Sequence, residues 1–529
     1  MTSEASAGRF NHLRPAVTDG IRFGLYPAGD FRIATGRCDD SATLRQALWY
    51  FEDETIALPM PGLPAAGFSA QLSASADISR WAATPEVRSA LDYPPLIWVT
   101  APLVTDLVAL DQANNACTFD DGSRLALRLT TRIATNRSYF DESSAHFFSG
   151  HRVRIRGTLD GDTLVARTLW PQVFRLNPAP PAFTNEPIRS ASALRALIRR
   201  RNDGFESRLL WQRGGIRHPP FSADRPILAL VLNGAQGDDD EAHGGHFAVA
   251  TGRTGTDGAI GDWLVNNFYS LDVVSEKGTL AAPVPLDVYL ADLNSGQNWY
   301  RPSWLLVAVL SSDRAANLVQ GALNRVYNQL YRHQTVYRHA TMNCAGISVD
   351  TLRALGWPVP NRTPEHPLLG ALAFPWLLAR DRSWEKARAN CDYLLGDLTR
   401  LLPGLTFEQA GADLIALAGR RVARPGDGLL AALLATDVEA IGFLSLPQFP
   451  SSRATGGPPA ASLAEYRARL PADPTRMQII PLPARPFPQE LRDPDLLRAP
   501  WWPSDWVVVG WSAIAALLLA AIVAICCFG

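Results

Sequence analysis

Residues 341 to 360 read TMNCAGISVDTLRALGWPVP, and this stretch decides how the chain of 529 residues is interpreted. Asn343 is a favourable N-cap, and Gly356 with Pro358 ends a helix, so the segment predicts a helix that begins at Cys344. The unpaired N–H groups and the macrodipole of a helix N-terminus lower the pKa of a thiol, which is about 8.5 in a free cysteine. The same N–H groups can hold an oxyanion. The pattern therefore favours Cys344 as a nucleophile.

His246 is the candidate base for this thiol. It lies in GGHFAVATG, where two glycines permit close approach and the alternation that follows predicts a strand. The next predicted strand, DWLVNNFY, supplies Asp262, Asn266 and Asn267, any of which can orient an imidazole through its second nitrogen. We favour Asn266 as the third residue of the site.

The order of these residues resembles the circularly permuted NlpC-type, papain-like thiol hydrolases, a group that includes the lecithin retinol acyltransferase relatives. In both, a His on a strand and a polar residue on the next strand precede a Cys at a helix start. The resemblance covers residues 226–360, roughly a quarter of the chain. It implies a permuted papain-like α+β domain with Cys344 as nucleophile and His246 as base. The sequence Asn343-Cys344-Ala345 departs from the acidic residue and His that usually follow the Cys in the lipid-acting members.

The resemblance also implies a reaction class. An acyl group is cleaved or transferred from an amide, ester or thioester through an acyl-cysteine, without a cofactor, on an acyl, lipid or peptide substrate. His339 lies five residues before Cys344 and is an alternative local partner for the thiol. Cys391 repeats the Asn-Cys pair, but it has helix formers on both sides and no later histidine, so it is a poor rival.

Two other interpretations compete with catalysis. The run GDDDEAHGGH offers oxygen and nitrogen ligands for a divalent metal, although its spacing matches no closed site and such runs are usually solvated loops. We therefore predict no metal. A cysteine in a helix is also often a buried packing residue, and the protein would then be a non-catalytic, membrane-tethered interaction scaffold. The candidate metal ligands are Asp238, Asp239, Asp240, Glu241, His243 and His246.

The remaining patterns predict a multidomain α+β chain. Residues 91–177 contain period-two strands with Asp160-Gly161 as a turn, which predicts a small antiparallel β-barrel of OB type, or a sandwich, to which a protein partner docks. Within residues 223–360, strands ILALVLN, LDVYLADL and WLLVAVL and a helix over 313–332 complete the papain-like domain. The other segments are an α/β region of unknown role (1–90), a linker with a basic helix (178–222), a helical extension (361–420) and a Pro/Gly-rich spacer (421–504).

The last segment, 505–529, predicts a membrane anchor. From Trp506 the sequence WVVVGWSAIAALLLAAIVAICCFG carries no charge and is long enough to cross a hydrocarbon core of about 30 Å. Tryptophans at its start favour the membrane interface, and Arg492 and Arg498 favour the cytoplasmic side. We therefore expect a single-pass C-terminal membrane protein whose bulk is cytoplasmic, and this location favours a lipid substrate.

Composition argues against nucleic-acid binding and against a fold held together by disulfides. The chain has 50 basic and 51 acidic residues, so its net charge of -1 creates no field that would gather nucleic acid. The predicted barrel also lacks the aromatic and basic face that binds single strands. The six cysteines of the whole chain are scattered and too few to stabilise a fold of this size through disulfides, so reduced thiols are expected.

Overall fold

The structure is a computed structural model of the chain. It describes residues 12–16, 22–35, 55–85, 87, 91–98, 101–111, 115–129, 142–174, 184–188, 190–200, 204–214, 221–222, 224–235, 241–255, 258–268, 282–291, 301–331, 335, 337–363, 367–449, 456–470 and 472–473. The candidate metal ligands Asp238, Asp239 and Asp240 lie outside these residues.

The strands are β1 Leu13–Pro15, β2 Arg22–Phe23, β3 Tyr26–Pro27, β4 Phe31–Thr35, β5 Thr55–Pro59, β6 Ile97–Trp98, β7 Leu103–Asp111, β8 Ala116–Thr118, β9 Arg124–Leu129, β10 Arg152–Asp160, β11 Thr163–Pro171, β12 Thr184–Asn185, β13 Glu206–Gln212, β14 Pro226–Asn233, β15 His246–Arg253, β16 Leu264–Asn267, β17 Ala282–Pro285, β18 Ser303–Leu310 and β19 Val438–Leu446.

The α-helices are α1 Ala74–Ala82, α2 Glu142–Ser149, α3 Ala191–Ile198, α4 Leu286–Ala291, α5 Arg314–Tyr331, α6 Cys344–Ala354, α7 Pro367–Asp381, α8 Trp384–Leu395, α9 Leu398–Leu401, α10 Pro403–Arg420, α11 Leu429–Asp437 and α12 Leu463–Arg469. Helices α5 and α6 confirm the two helices that the sequence predicts around 313–332 and from Cys344.

Strands β7 to β11 close into a barrel. The order is β7-β10-β11-β9-β8, and β8 pairs back with β7. Strands β9 and β11 run parallel, the other neighbours run antiparallel, and α2 follows β9 in the chain. This five-stranded closure is the kind of barrel found in the OB type. The parallel pair corrects the prediction of an entirely antiparallel barrel.

The main sheet carries the candidate site. Its order is β12-β13-β19-β18-β14-β15-β16-β17. Strands β14 and β18 are buried at every position, which explains why they read as continuous apolar runs rather than as alternating ones. Both faces of these two strands are therefore covered. Strand β15, which begins at His246, pairs with β14 on one side and with β16 on the other.

Two segments predicted as connections contribute strands to this sheet. Strand β13 comes from the predicted linker 178–222, and β19 comes from the predicted spacer 421–504 and pairs with both β13 and β18. Strand β19 has nine residues, of which all except Glu439 are buried, and the Pro and Gly residues around it account for the prediction of a spacer. The predicted strand LDVYLADL is also corrected, because Leu286–Ala291 is a helix whose first turn contains Asp287.

The barrel and the main sheet share one hydrophobic core. A single cluster of buried residues includes Leu127 and Ile155 of the barrel together with Leu230 and Phe247 of the sheet. The hairpin of α7 and α8 has a small separate core, which includes Phe374 and Cys391. The barrel therefore packs as part of the body that contains the candidate site.

The predicted transmembrane helix is corrected by the structure. Within the described part of the chain, no helix combines the length and the apolar character needed to cross a bilayer. The longest described helices, α5 and α10, have 18 residues each and carry charged side chains. The predicted anchor, 505–529, lies outside the described residues. The single-pass anchor, the membrane localisation and the location-based preference for a lipid substrate are therefore withdrawn.

Candidate active site

Cys344 is the first residue of α6, as the sequence predicts. Asn343 adopts an extended N-cap conformation, and its side-chain oxygen accepts the N–H of Gly346 at 2.7 Å. The Asn343 amide donates to the carbonyl of His339 at 2.9 Å, which ties the preceding turn to the helix start. The cap thus fixes where the helix begins and where the thiol lies.

The Cys344 thiol is buried against the backbone of β15. The side chain is 5% exposed. Burial raises the pKa of Cys344. Three hydrogen bonds to the sulfur oppose that rise, and they come from the N–H groups of Phe247 and Ala345 and from the Tyr337 hydroxyl. The positive charge of Arg301 opposes it as well. These contacts bring the sulfur beside the residue that follows His246.

His246 is the first residue of β15 and is 2% exposed. Burial and, second to it, the charge of Arg301 lower the pKa of His246 to about 3, although a hydrogen bond with Asn267 raises it. The imidazole is therefore neutral at physiological pH and free to accept a proton, and its low pKa makes it a weak base in this resting arrangement. Arg301 is 6% exposed and acts on both Cys344 and His246, so one buried charge serves both candidate groups.

Asn267, and not Asn266, is the neighbour of the His246 ring. The side-chain amide of Asn266 donates to Gln320 of α5 at 2.9 Å and to the Val249 carbonyl at 3.1 Å. Adjacent strand residues point to opposite faces, so Asn266 faces α5 while Asn267 and His246 share the other face. The structure therefore assigns our favoured residue, Asn266, to a packing network and brings its neighbour to the imidazole.

The third polar candidate of that strand region is engaged elsewhere. Asp262 pairs with Arg156 of the barrel, with 2.8 Å between its oxygen and the guanidinium nitrogen. His339, the alternative local partner, is exposed and stacks its ring edge-on against Tyr337 with centroids 5.3 Å apart. Cys391 is buried in the core of the α7–α8 hairpin, where burial raises its pKa.

The acidic and histidine run shows no metal centre among the residues that can be described. No group of three or more His, Cys, Asp or Glu side chains there is arranged to hold an ion. His243 is buried and lies with its ring edge-on to Tyr466 of α12, with centroids 6.4 Å apart. His246 turns its ring toward Tyr289 instead, with centroids 6.3 Å apart.

Sequence reasoning missed three residues near the site. Arg338 and Met342 pair across a tight turn, and this turn lets the Tyr337 hydroxyl accept a hydrogen bond from the N–H of Cys344. The turn is too short to stand out in the sequence. Tyr289 was hidden because its helix was predicted as a strand. Arg301 precedes β18 and gave no pattern that separates it from a surface arginine.

Comparison with protein-family models, curated proteins and solved structures gave no match. The likeness to papain-like thiol hydrolases thus depends on the residues and their arrangement alone.

Proposed function

We propose that the protein is a cysteine hydrolase or acyltransferase that acts on an amide, ester or thioester through an acyl-cysteine. One observation carries this proposal: Cys344 begins a capped helix whose N-terminus meets β15 beside His246. The hydrogen bond from the Phe247 N–H brings the thiol to the residue that follows His246, and nucleophilic catalysis requires a thiol and a neutral imidazole in one site.

Each residue then has a defined step. The Cys344 thiol passes its proton to His246 as its sulfur attacks the acyl carbonyl carbon. The N–H groups at the start of α6 and the Tyr337 hydroxyl stabilise the tetrahedral oxyanion. His246 returns the proton to the leaving group, and the acyl-cysteine forms. Water or another acceptor then attacks the acyl-cysteine with His246 as base, and the thiol is restored.

Thiol labelling across pH tests this proposal. We expect iodoacetamide to label Cys344 in the folded protein, the labelling to vanish in Cys344→Ala, and its rate to fall by about 10²-fold or more in His246→Ala. Cys391→Ala is the matched control, because Cys391 is a second buried thiol after an asparagine and its removal should change nothing. Hydrolysis of acyl thioesters and activated esters by the same variants then identifies the leaving group.

A non-catalytic scaffold is the second candidate, and the burial of the thiol favours it. Cys344 is 5% exposed and its pKa is raised, as for an ordinary packing cysteine. In this case Cys344 labels only when the protein unfolds, at a rate that His246→Ala leaves unchanged. That result would contradict the enzymatic proposal.

A further inference from the structure

A buried charge cluster joins the barrel to helix α4. The guanidinium groups of Arg154 and Arg156 on β10 both contact the same carboxylate oxygen of Asp287, at 3.0 and 2.7 Å. The side chain of Asp287 is 0% exposed and that of Arg156 is 4% exposed. Arg156 also bonds Asp262, so two positive and two negative groups balance in the cluster. The paired charges of Arg154, Arg156 and Asp287 restrict these three side chains to one arrangement.

Asp287 also fixes the start of α4. Its second carboxylate oxygen accepts the N–H of Val288 at 2.8 Å, and its own N–H donates to the carbonyl of Gly261 at 3.1 Å. Gly261 lies directly under the Arg154 guanidinium, since a Cβ there would stand 2.1 Å from its nitrogen. The barrel, the turn before β16 and α4 are therefore joined at a single carboxylate.

Helix α4 in turn presents Tyr289 to the candidate base. Tyr289 is 4% exposed, and its hydroxyl donates to the side-chain oxygen of Asn233. Asn233 is the residue directly opposite His246 in the ladder of β14 and β15, and its amide donates to Ser303 of β18 at 2.9 Å. With its hydroxyl held there, the Tyr289 ring packs beside the imidazole.

We propose that Tyr289 is a positioning residue for His246, and that the barrel holds Tyr289 in place through Arg154, Arg156 and Asp287. The relation to catalysis rests on the proposed role of His246 as base. The barrel is then a structural part of the site, and its face toward α4 is not a docking surface for a partner.

Nuclear magnetic resonance of the full chain labelled with ¹³C and ¹⁵N in histidine tests the positioning directly. The His246 signal is assigned with His246→Gln. We expect its ring shifts to change in Tyr289→Leu, which removes the aromatic ring, and less in Tyr289→Phe, which removes only the hydroxyl. Asp287→Asn and Arg154→Gln, which loosen the barrel contact, should broaden or shift the same signal. Arg154 keeps 17% of its side chain exposed whereas Asp287 is fully buried, so Arg154→Gln is the milder change and replaces Asp287→Asn if the latter does not fold.

Arg128→Gln is the matched control. Arg128 forms an ion pair with Asp160 on the same barrel, but both side chains are exposed, and the His246 signal should not move. An unchanged His246 signal in folded Tyr289→Leu and Arg154→Gln overturns the positioning role, whatever the activity. If Cys344 is labelled slowly, at a rate that His246→Ala leaves unchanged, the enzymatic proposal is overturned instead. The histidine spectra still test the role of Tyr289 in that case.

Discussion

At the scale of single residues, the candidate site combines a buried thiol, a buried imidazole and a buried guanidinium. Burial disfavours the charged form of the first two groups, so it raises the pKa of Cys344 and lowers that of His246. Arg301 favours a thiolate and disfavours an imidazolium. The electrostatics therefore support a neutral thiol and imidazole at rest, with proton transfer coupled to attack rather than a preformed ion pair.

The low pKa of His246 predicts a pH-dependent stability. An unfolded His binds a proton below pH 6.5, whereas folded His246 does so only near pH 3. The unfolded state holds more protons in that interval, so stability falls as pH falls, by up to about 1.4 kcal/mol per pH unit. Above pH 6.5 neither state is protonated at this residue, and it has no effect.

Denaturant titrations of wild type and His246→Gln measure this effect as a difference, in which the other titrating groups cancel. As the pH falls below 6.5, we expect the free energy of unfolding of the wild type to decrease more than that of His246→Gln. A difference that stays constant with pH would show that the folded protein accepts a proton on His246 with ordinary affinity.

At the scale of secondary-structure elements, strand alternation separates two neighbouring asparagines. Asn266 belongs to a buried polar network in which Thr251 donates to Gln320 at 2.6 Å and Gln320 donates to Asn324 at 2.9 Å. Asn267 faces the imidazole from the opposite side of the strand. One residue therefore serves packing and its neighbour serves the site.

This separation predicts opposite phenotypes for two similar substitutions. Asn266→Ala leaves buried partners without hydrogen bonds and should lower the free energy of unfolding by about 1–3 kcal/mol, with little effect on His246-dependent labelling. Asn267→Ala should slow that labelling by about tenfold, equivalent to ~1.4 kcal/mol, with a smaller loss of stability. Chemical denaturation and iodoacetamide kinetics on both variants measure the two effects, and the reverse assignment would return the orienting role to Asn266.

The same elements explain what the sequence could predict. The helix at Cys344 followed from a local cap and stop, and the strand at His246 followed from local alternation, so both needed only nearby residues. The choice between Asn266 and Asn267 required the register of β15 against β16, which is a contact between distant residues. The addition of β19 to the sheet was equally invisible, because its partner β18 lies more than a hundred residues away in the chain.

At the scale of the whole molecule, the barrel, the main sheet and the N-terminal segment form one packed body. The N-terminal Tyr26 accepts a hydrogen bond from Asn324 of α5 at 3.0 Å, and Asp77 of α1 pairs with Arg325 at 2.8 Å. These contacts and the shared core mean that residues far apart in the chain cover both faces of the sheet that carries His246. The hairpin of α7 and α8 stands apart on its own small core.

This organisation predicts a cooperative unfolding transition with one early exception. Hydrogen exchange measured by mass spectrometry across a denaturant series should give one midpoint for peptides from β7–β11 and from β14–β19, because they share a core and the buried Asp287 cluster. The α7–α8 hairpin should lose protection earlier. Asp287→Asn removes one of the two carboxylates that pair with buried Arg156, so the shared midpoint should fall, with a loss of about 3–5 kcal/mol in free energy of unfolding. If the barrel peptides lose protection before the sheet peptides in the wild type, the barrel is an independent domain and does not hold the site together.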